Sequence, residues 1–368
     1  MKITILSAYH VPLTSHETYY MSDGKTCDTV TSVVLKIGTD TGAVGWGEVC
    51  PIPHYLPAYA EGVAPAIEYM SHVLLGSDVT GPEALIAQCD AYLLGHVYAK
   101  SALETALWDL WGKACNQPLY ALLGGRRSAD MPLYHSITCV APDEMARMAV
   151  EAQQSGITQF QVKLGADRSN EADIERLIKV REAVGPGYLV YGDWNCGTTS
   201  LDATRVGNAV ATYDVMLEQP CATIEECARV KNATGLPMKQ DETAHDLEST
   251  LRAYNLGCMD ALALKLSKYG GLSKCRQVRD LCVHLGAKIC VEDTWGSDIT
   301  TAALLHLAAA TDPKFVLNTC DLSGYVAPRI APNAPVRING RIAPPEGAGL
   351  GIDVDESVLG TPILELGE

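Results

Sequence analysis

Phe160-Gln161-Val162-Lys163-Leu164, Val190-Tyr191-Gly192-Asp193-Trp194-Asn195, Val215-Met216-Leu217-Glu218-Gln219-Pro220, Met238-Lys239-Gln240-Asp241-Glu242 and Ala263-Leu264-Lys265-Leu266-Ser267 share one plan: a short apolar run closed by a charged residue. Lys163, Asp193, Glu218, Asp241 and Lys265 follow one another at steps of 30, 25, 23 and 24 residues, the length of one strand, one helix and two loops. The residues between them carry apolar stripes at helical spacing, clearest over 172–184 and 272–285. In a parallel (β/α)8 barrel the C-terminal ends of all strands open on one mouth, so charges far apart in sequence meet there. A single polar residue at the start of a βα loop would mean little. Five in phase place two lysines and three carboxylates in one pocket.

Three oxygen ligands so arranged suit a hard divalent cation, and Asp193, Glu218 and Asp241 are the candidate ligands of Mg²⁺. With the open positions on the ion taken by a substrate carboxylate, loss of the α-proton places charge on the two oxygens the ion already faces. Lys163 and Lys265 are the candidate catalytic bases, one on either side of the α-carbon. A free lysine titrates too high for this work, and burial beside another cation is the route by which it becomes a base.

Working outward, strands are expected near 132–137, 160–164, 189–194, 215–219, 237–241, 261–265, 288–293 and 315–320. The α/β barrel then occupies residues 131–328. Residues 1–130 differ. Thr31–Ile37 and Ala43–Glu48 read as antiparallel strands joined by Thr39-Asp40-Thr41-Gly42, and helices are expected over 57–75, 82–93 and 99–114. This is an α+β capping domain. Its stretches His16–Ser22 and Cys50–Tyr55 have the tyrosines and prolines of substrate lids, with Tyr19 and Tyr55 as candidate contacts. Residues 329–368, rich in Pro and Gly, are expected to return to the cap.

The 368 residues are enough for a large barrel and a cap, and 47% hydrophobic content supplies the core. A formal net charge of −16 argues against nucleic acid and anionic membrane as partners, since both need clustered positive charge; the partner expected from the acid and lysine cluster is a small-molecule carboxylate. The opening Met1-Lys2-Ile3-Thr4-Ile5 lacks the pattern of a signal peptide, and no apolar run reaches membrane-spanning length. Thirteen scattered cysteines without a Cys-x-x-Cys pair read as reduced thiols, so a cytoplasmic location is expected.

The ordered set Lys163, Asp193, Glu218, Asp241-Glu242 and Lys265 resembles the enolase superfamily, in its muconate-lactonizing-enzyme and mandelate-racemase-like subgroup, over nearly the whole chain. That resemblance implies a modified (β/α)8 TIM barrel with an N-terminal cap, Mg²⁺ on the three carboxylates, lysine bases on strands two and six, and a homo-oligomer. Within the subgroup the chain looks most like proline-betaine and hydroxyproline-betaine epimerases, through Gly45-Trp46-Gly47-Glu48-Val49-Cys50-Pro51, Gly95-His96-Val97-Tyr98-Ala99-Lys100, Trp295-Gly296-Ser297-Asp298-Ile299 and Gly349-Leu350-Gly351-Ile352-Asp353-Val354-Asp355-Glu356-Ser357. It departs from them twice. Gln161 stands where the subgroup usually has the first lysine of Lys-x-Lys, and Asn318-Thr319-Cys320-Asp321 replaces a tryptophan-bearing segment after strand eight.

Asp321 at that wall favours a protonated amino or imino nitrogen over a quaternary one, which has no hydrogen to donate. Gln161, Asn195, Glu292, Asp293 and Trp295 join it as candidate substrate contacts, and Glu242 as a support behind the metal ligands. The leading expectation is a Mg²⁺-dependent racemase or epimerase of an amino-acid-like carboxylate of proline, hydroxyproline or betaine type. Dehydration of a β-hydroxy amino acid such as a 3-hydroxyproline uses the same residues. The non-enzymatic alternative is a metal- and metabolite-binding protein without turnover.

Overall fold

The computed structural model describes residues 1–367; Glu368, the end of the segment expected to return to the cap, lies outside them. Eight parallel strands follow one another in sequence order around the barrel: Tyr134–Ile137, Gln159–Lys163, Leu189–Asp193, Met216–Glu218, Met238–Gln240, Ala261–Lys265, Lys288–Glu292 and Val316–Thr319. A parallel bridge from Leu133 to Thr319 closes the ring. Each strand alternates faces, so Gln161 and Lys163, Tyr191 and Asp193, and Lys239 and Asp241 look the same way.

A separate antiparallel sheet forms the cap from Ile3–Tyr20, Thr26–Thr39 and Val44–Val49. Late segments join it: Leu364–Gly367 pairs with the start of the first strand and Val326–Ala327 with its middle. The first strand is longer than expected. His16–Tyr20 continues it past an irregularity at Thr14, so this stretch is strand rather than loop, with Tyr19 opposite Cys27. The cap helices are Val63–Leu74, Pro82–Tyr92 and Val97–Cys115. The first begins later than 57, because Pro57 to Gly62 form an irregular approach and a short 3-10 turn.

The quoted glycine motif serves packing. The strand Val44–Val49 lies against the helix Val97–Cys115 so closely that a Cβ on Gly47 would come within 1.8 Å of the Ala102 carbonyl oxygen, and one on Gly45 within 2.3 Å of that of Ala106. Backbone cannot retreat as a flexible side chain does. Gly47→Ala is therefore expected to destabilise the protein by about 3 kcal/mol, the upper range for overpacking, read as a lower midpoint in chemical denaturation.

Three buried carboxylates tie cap, barrel and C-terminal segment together. Glu48 accepts from Ser32 Oγ at 2.7 Å and, across the domain boundary, from the backbone N–H groups of Ser297 and Thr300 at 2.9 Å each. It thereby serves the N-terminus of the helix Asp298–Ala309, where the helix dipole favours an anion. Asp109 accepts from the N–H groups of Trp46 and Leu350, and Asp298 from those of Ile330 and Ala331. Glu48 thus ties the cap to the barrel, and Asp109 ties it to the C-terminal segment.

Candidate active site

Lys163, Asp193, Glu218, Asp241 and Lys265 all meet at the C-terminal mouth, each at or beside the end of its strand, and all are buried. Lys163 Nζ donates to Asp193 Oδ2 at 2.6 Å and to Asn195 Oδ1 at 3.1 Å. Lys265 Nζ donates to Asp241 Oδ2, also at 2.6 Å, while Asp241 Oδ1 accepts from Lys268 Nζ at 2.9 Å. The two base candidates come from the second and sixth strands, on opposite sides of the eight-stranded ring. Their ammonium nitrogens lie 5.9 and 5.8 Å from the centre of one ring, that of Tyr55.

Gln161 ties the acids together. Its Nε2 donates to Asp193 Oδ2 at 3.1 Å and Glu218 Oε2 at 2.8 Å, and its Oε1 accepts from Ser136 Oγ. Carboxylate oxygens of Glu218, Asp241 and Glu292 lie within 4.8 Å of one another, so the tightest acidic trio contains Glu292 in place of Asp193. Lys239, fully buried, stands beneath it: Nζ is 2.9 Å from Glu218 Oε1 and 3.1 Å from Glu292 Oε1. The geometry leaves Glu218 Oε1 without a hydrogen bond despite that ion pair.

A buried carboxylate oxygen without a hydrogen bond, amid an excess of acids, is a poor end state for a protein and a good one for a cation. Burial, with Asp193, Glu292 and Asp241 nearby, raises the pKa of Glu218 against the pull of Lys239. The donor set is oxygen throughout, as a hard ion requires. The residues present therefore fit Mg²⁺.

Burial opposes the ammonium form of both base candidates, yet their partners prevail. Asp193, Tyr55 and Glu218 raise the pKa of Lys163, and Asp241, Glu292 and Glu242 raise that of Lys265. The lysines are thus charged while paired with these acids. A cation held by these acids would take the lysines' partners from them, and burial would then favour the free amine.

The cavity at the mouth measures about 40 Å³ and takes Tyr19, Tyr55, Gln161, Glu292, Asp293 and Trp295 into its wall, besides both bases. Tyr19, Trp295 and Tyr325 form an aromatic side, with ring centres 5.4 to 6.1 Å apart. Asp293 also accepts from the Ser267 hydroxyl and N–H and the Thr294 N–H, and burial pushes its pKa up to about 6.

Two candidate contacts are placed elsewhere. Asp321 does not line the cavity: Oδ2 accepts from Arg337 Nε at 2.9 Å, and Oδ1 from Ser323 Oγ and the Gly324 N–H at 3.0 Å each. It caps the turn Leu322–Gly324, and Arg337, from the late segment, draws it away from the substrate side. Cys320, Leu322 and Tyr325 face the cavity instead. Asn195 also stands behind the wall, accepting from Lys163 and donating to Glu242 Oε1 at 3.1 Å. Glu242 is accordingly a neighbour of a base as much as a support for metal ligands, and burial pushes its pKa up to about 7.

Lys239, Lys268, Tyr134 and Gln219 escaped sequence reasoning. The signal for Lys239 was its place two residues before Asp241, on the same strand face. Gln219 follows Glu218 with φ of +32°, a left-handed conformation unusual for a side-chain-bearing residue, and its Oε1 accepts from the Asp241 N–H at 2.7 Å. It fixes one acid-bearing strand end against the next.

Residues 144–358 match the family described as enolase C-terminal domain-like, and residues 6–124 match the mandelate racemase / muconate lactonizing enzyme N-terminal domain. The chain belongs to the enolase superfamily. It is 40% identical, over 99% of both chains, to the cis-3-hydroxy-L-proline dehydratase of Roseibium aggregatum, and 29% identical to the L-Ala-D/L-Glu epimerase of Clostridium acetobutylicum over 82% of this chain and 84% of that one. An enolase-superfamily crystal structure from Roseovarius nubinhibens ISM, complexed with magnesium, superposes with a TM-score of 0.93 at 32% identity and covers the whole of both chains. Among the described residues no helix is long and apolar enough to cross a membrane.

Proposed function

We propose that this protein is a Mg²⁺-dependent dehydratase of a cis-3-hydroxyproline-type imino acid. The observation that carries this reading is the pair of amines, Lys163 and Lys265, reaching one small cavity from opposite sides of the barrel. In a cis-3-hydroxyproline the hydroxyl shares the carboxylate's face of the ring, so the α-hydrogen lies on the other. Elimination then needs a base on one face and an acid on the opposite one. One lysine, as the free amine, takes the α-proton; the other, as the ammonium, gives a proton to the departing hydroxyl. The C–H and C–O bonds break, a carbon–carbon double bond forms between them, and water leaves. The resulting enamine becomes the cyclic imine by proton transfer.

Asp193, Glu218 and Asp241 would hold the ion. When bound, Mg²⁺ supplies positive charge against the substrate carboxylate, where negative charge builds as the α-proton leaves. Tyr19, Trp295 and Tyr325 give the pyrrolidine ring an apolar side and its ammonium an aromatic face, a role that does not need Asp321. The 40% identity to a dehydratase, over 99% of both chains, supports elimination over the epimerisation that leads on sequence alone.

Epimerisation remains a distinct reading, supported by the same opposed amines and by the epimerase relatives. Incubating the protein with cis-3-hydroxy-L-proline in D₂O separates the two. Loss of water with an imine product is expected, and the trans isomer, which presents hydroxyl and α-hydrogen on one face, should react at least about 100-fold more slowly for want of alignment. Deuterium entering the α-carbon with inversion, and no loss of water, would establish the epimerase instead.

A further inference from the structure

Leu94, in the cap, is the most exposed large apolar side chain among the described residues, at 84%. A lone exposed leucine needs no explanation. This one is held out on a fixed backbone. The carbonyl of Leu93 accepts from Nζ of the buried Lys100, which also donates to Asp90 Oδ1 at 2.8 Å. On the other flank Gly95 and His96 are both left-handed, with φ of +72° and +50°, a costly conformation for histidine, and they lead straight into the helix Val97–Cys115.

Beside this loop lies a hollow of about 310 Å³ between cap and barrel. Leu56, Pro57, Ala58 and Val97 give it apolar walls, and Val97 is only three residues past Leu94. On the barrel side it reaches Lys268, the lysine that donates to Asp241. Leu56–Ala58 directly follow Tyr55, whose ring stands near both base candidates, so the hollow lies behind the lid of the active site. The charges next to it are already paired within the chain. Glu83 and Asp90, on the helix Pro82–Tyr92, meet Arg276 and Lys274, on the helix Leu272–Leu285. Lys274 borders the hollow: a Cβ on Gly270 would lie 3.4 Å from Val97 Cβ and 3.6 Å from Lys274 Nζ. Here two copies can approach without the repulsion that a net charge of −16 creates elsewhere.

We propose that this face pairs with a second copy of the chain about a two-fold axis, Leu94 of each copy filling the hollow of the other. Knob and hollow sit side by side on one surface, so a single two-fold closes both contacts at once, as a self-complementary patch must. A leucine that stands in water in the single chain becomes buried against apolar walls. The fixed backbone on both of its flanks lowers the cost of ordering the contact. Each copy then braces the Leu56–Ala58 segment of the other, and the placing of Tyr55 over the lysines depends on pairing.

The test involves neither substrate nor metal, so its failure leaves the proposed function untouched. Sedimentation equilibrium of the full chain at about 1 to 100 µM should show paired chains, and Leu94→Asp should weaken pairing by at least about 100-fold, because a carboxylate is forced into an apolar hollow. Leu94→Met, which keeps an apolar knob, should pair within about threefold of the unaltered chain. Amide hydrogen exchange locates the contact. Leu56, Ala58 and Val97 should exchange at least about tenfold faster in Leu94→Asp, and diluting the unaltered chain below its pairing concentration should release the same amides without any substitution. A chain that stays single at about 100 µM overturns the proposal. So does a folded Leu94→Asp that pairs as before, or exchange at these amides that ignores dilution.

Discussion

Lys163→Ala and Lys265→Ala are each expected to lower turnover by about 10²- to 10⁴-fold, the range for loss of a general acid or base. The two losses should differ in character. Elimination from a ring with hydroxyl and α-hydrogen on opposite faces needs both groups, but exchange of the α-proton with solvent needs only the base. One variant should therefore lose exchange and turnover together, while the other keeps exchange at the α-carbon and fails to release water. Proton NMR in D₂O reads both quantities in one sample. Each substitution also removes a cation from a buried acid, Asp193 or Asp241, so melting curves must accompany the kinetics. Retention of full turnover by either variant would remove its lysine from the mechanism.

Stripping divalent ions with a chelator should abolish turnover, and Mg²⁺ should restore it. Glu218→Gln is expected to cut activity by about 10³-fold at moderate Mg²⁺, because a metal's stabilisation of developing charge amounts to several kcal/mol. Glu218 is the most enclosed of the three proposed ligands, with one buried oxygen held only by its ion pair with Lys239. The ion should also stabilise the fold. Repulsion among buried carboxylates is relieved only in the native state, so Mg²⁺ at 100 times its dissociation constant should add about 2.7 kcal/mol to stability and raise the melting temperature. Glu218→Gln should blunt that rise. A melting temperature indifferent to Mg²⁺ would contradict the assignment of these acids as ligands.

The barrel was legible in the sequence because its active-site charges close successive apolar runs. Each strand had to end at the mouth for Lys163, Asp193, Glu218, Asp241 and Lys265 to keep step, so the repeat that identifies the chemistry also locates the strands. Pairing partners were less visible. Asp321 looked like a charge at the mouth because Thr319 ends a strand just before it; its true partner, Arg337, comes from a segment with no periodic pattern to place it. Lys239 sits inside an apolar strand, where its two glutamate partners come from the adjacent strand 21 residues before and from a strand two places further round the barrel 53 after. Glu48 presented a similar difficulty, since nothing local shows that a cap strand will serve a barrel helix.

These placements also explain why Gln161 is compatible with an active site. It joins Asp193 to Glu218 through one amide, and the charge it lacks is present on Lys239 at the other side of Glu218. Glu218 is therefore balanced from below rather than from the cavity. Space beside Lys163 stays free of a second ammonium at position 161.

The most direct test is a crystal structure with Mg²⁺ and an unreactive proline-type carboxylate bound. The Nζ atoms of Lys163 and Lys265 should stand on opposite faces of the ligand's α-carbon, each at about 3 to 3.5 Å, with Asp193, Glu218 and Asp241 on a single ion. Both amines on one face, or the acids divided between separate ions, would contradict the account.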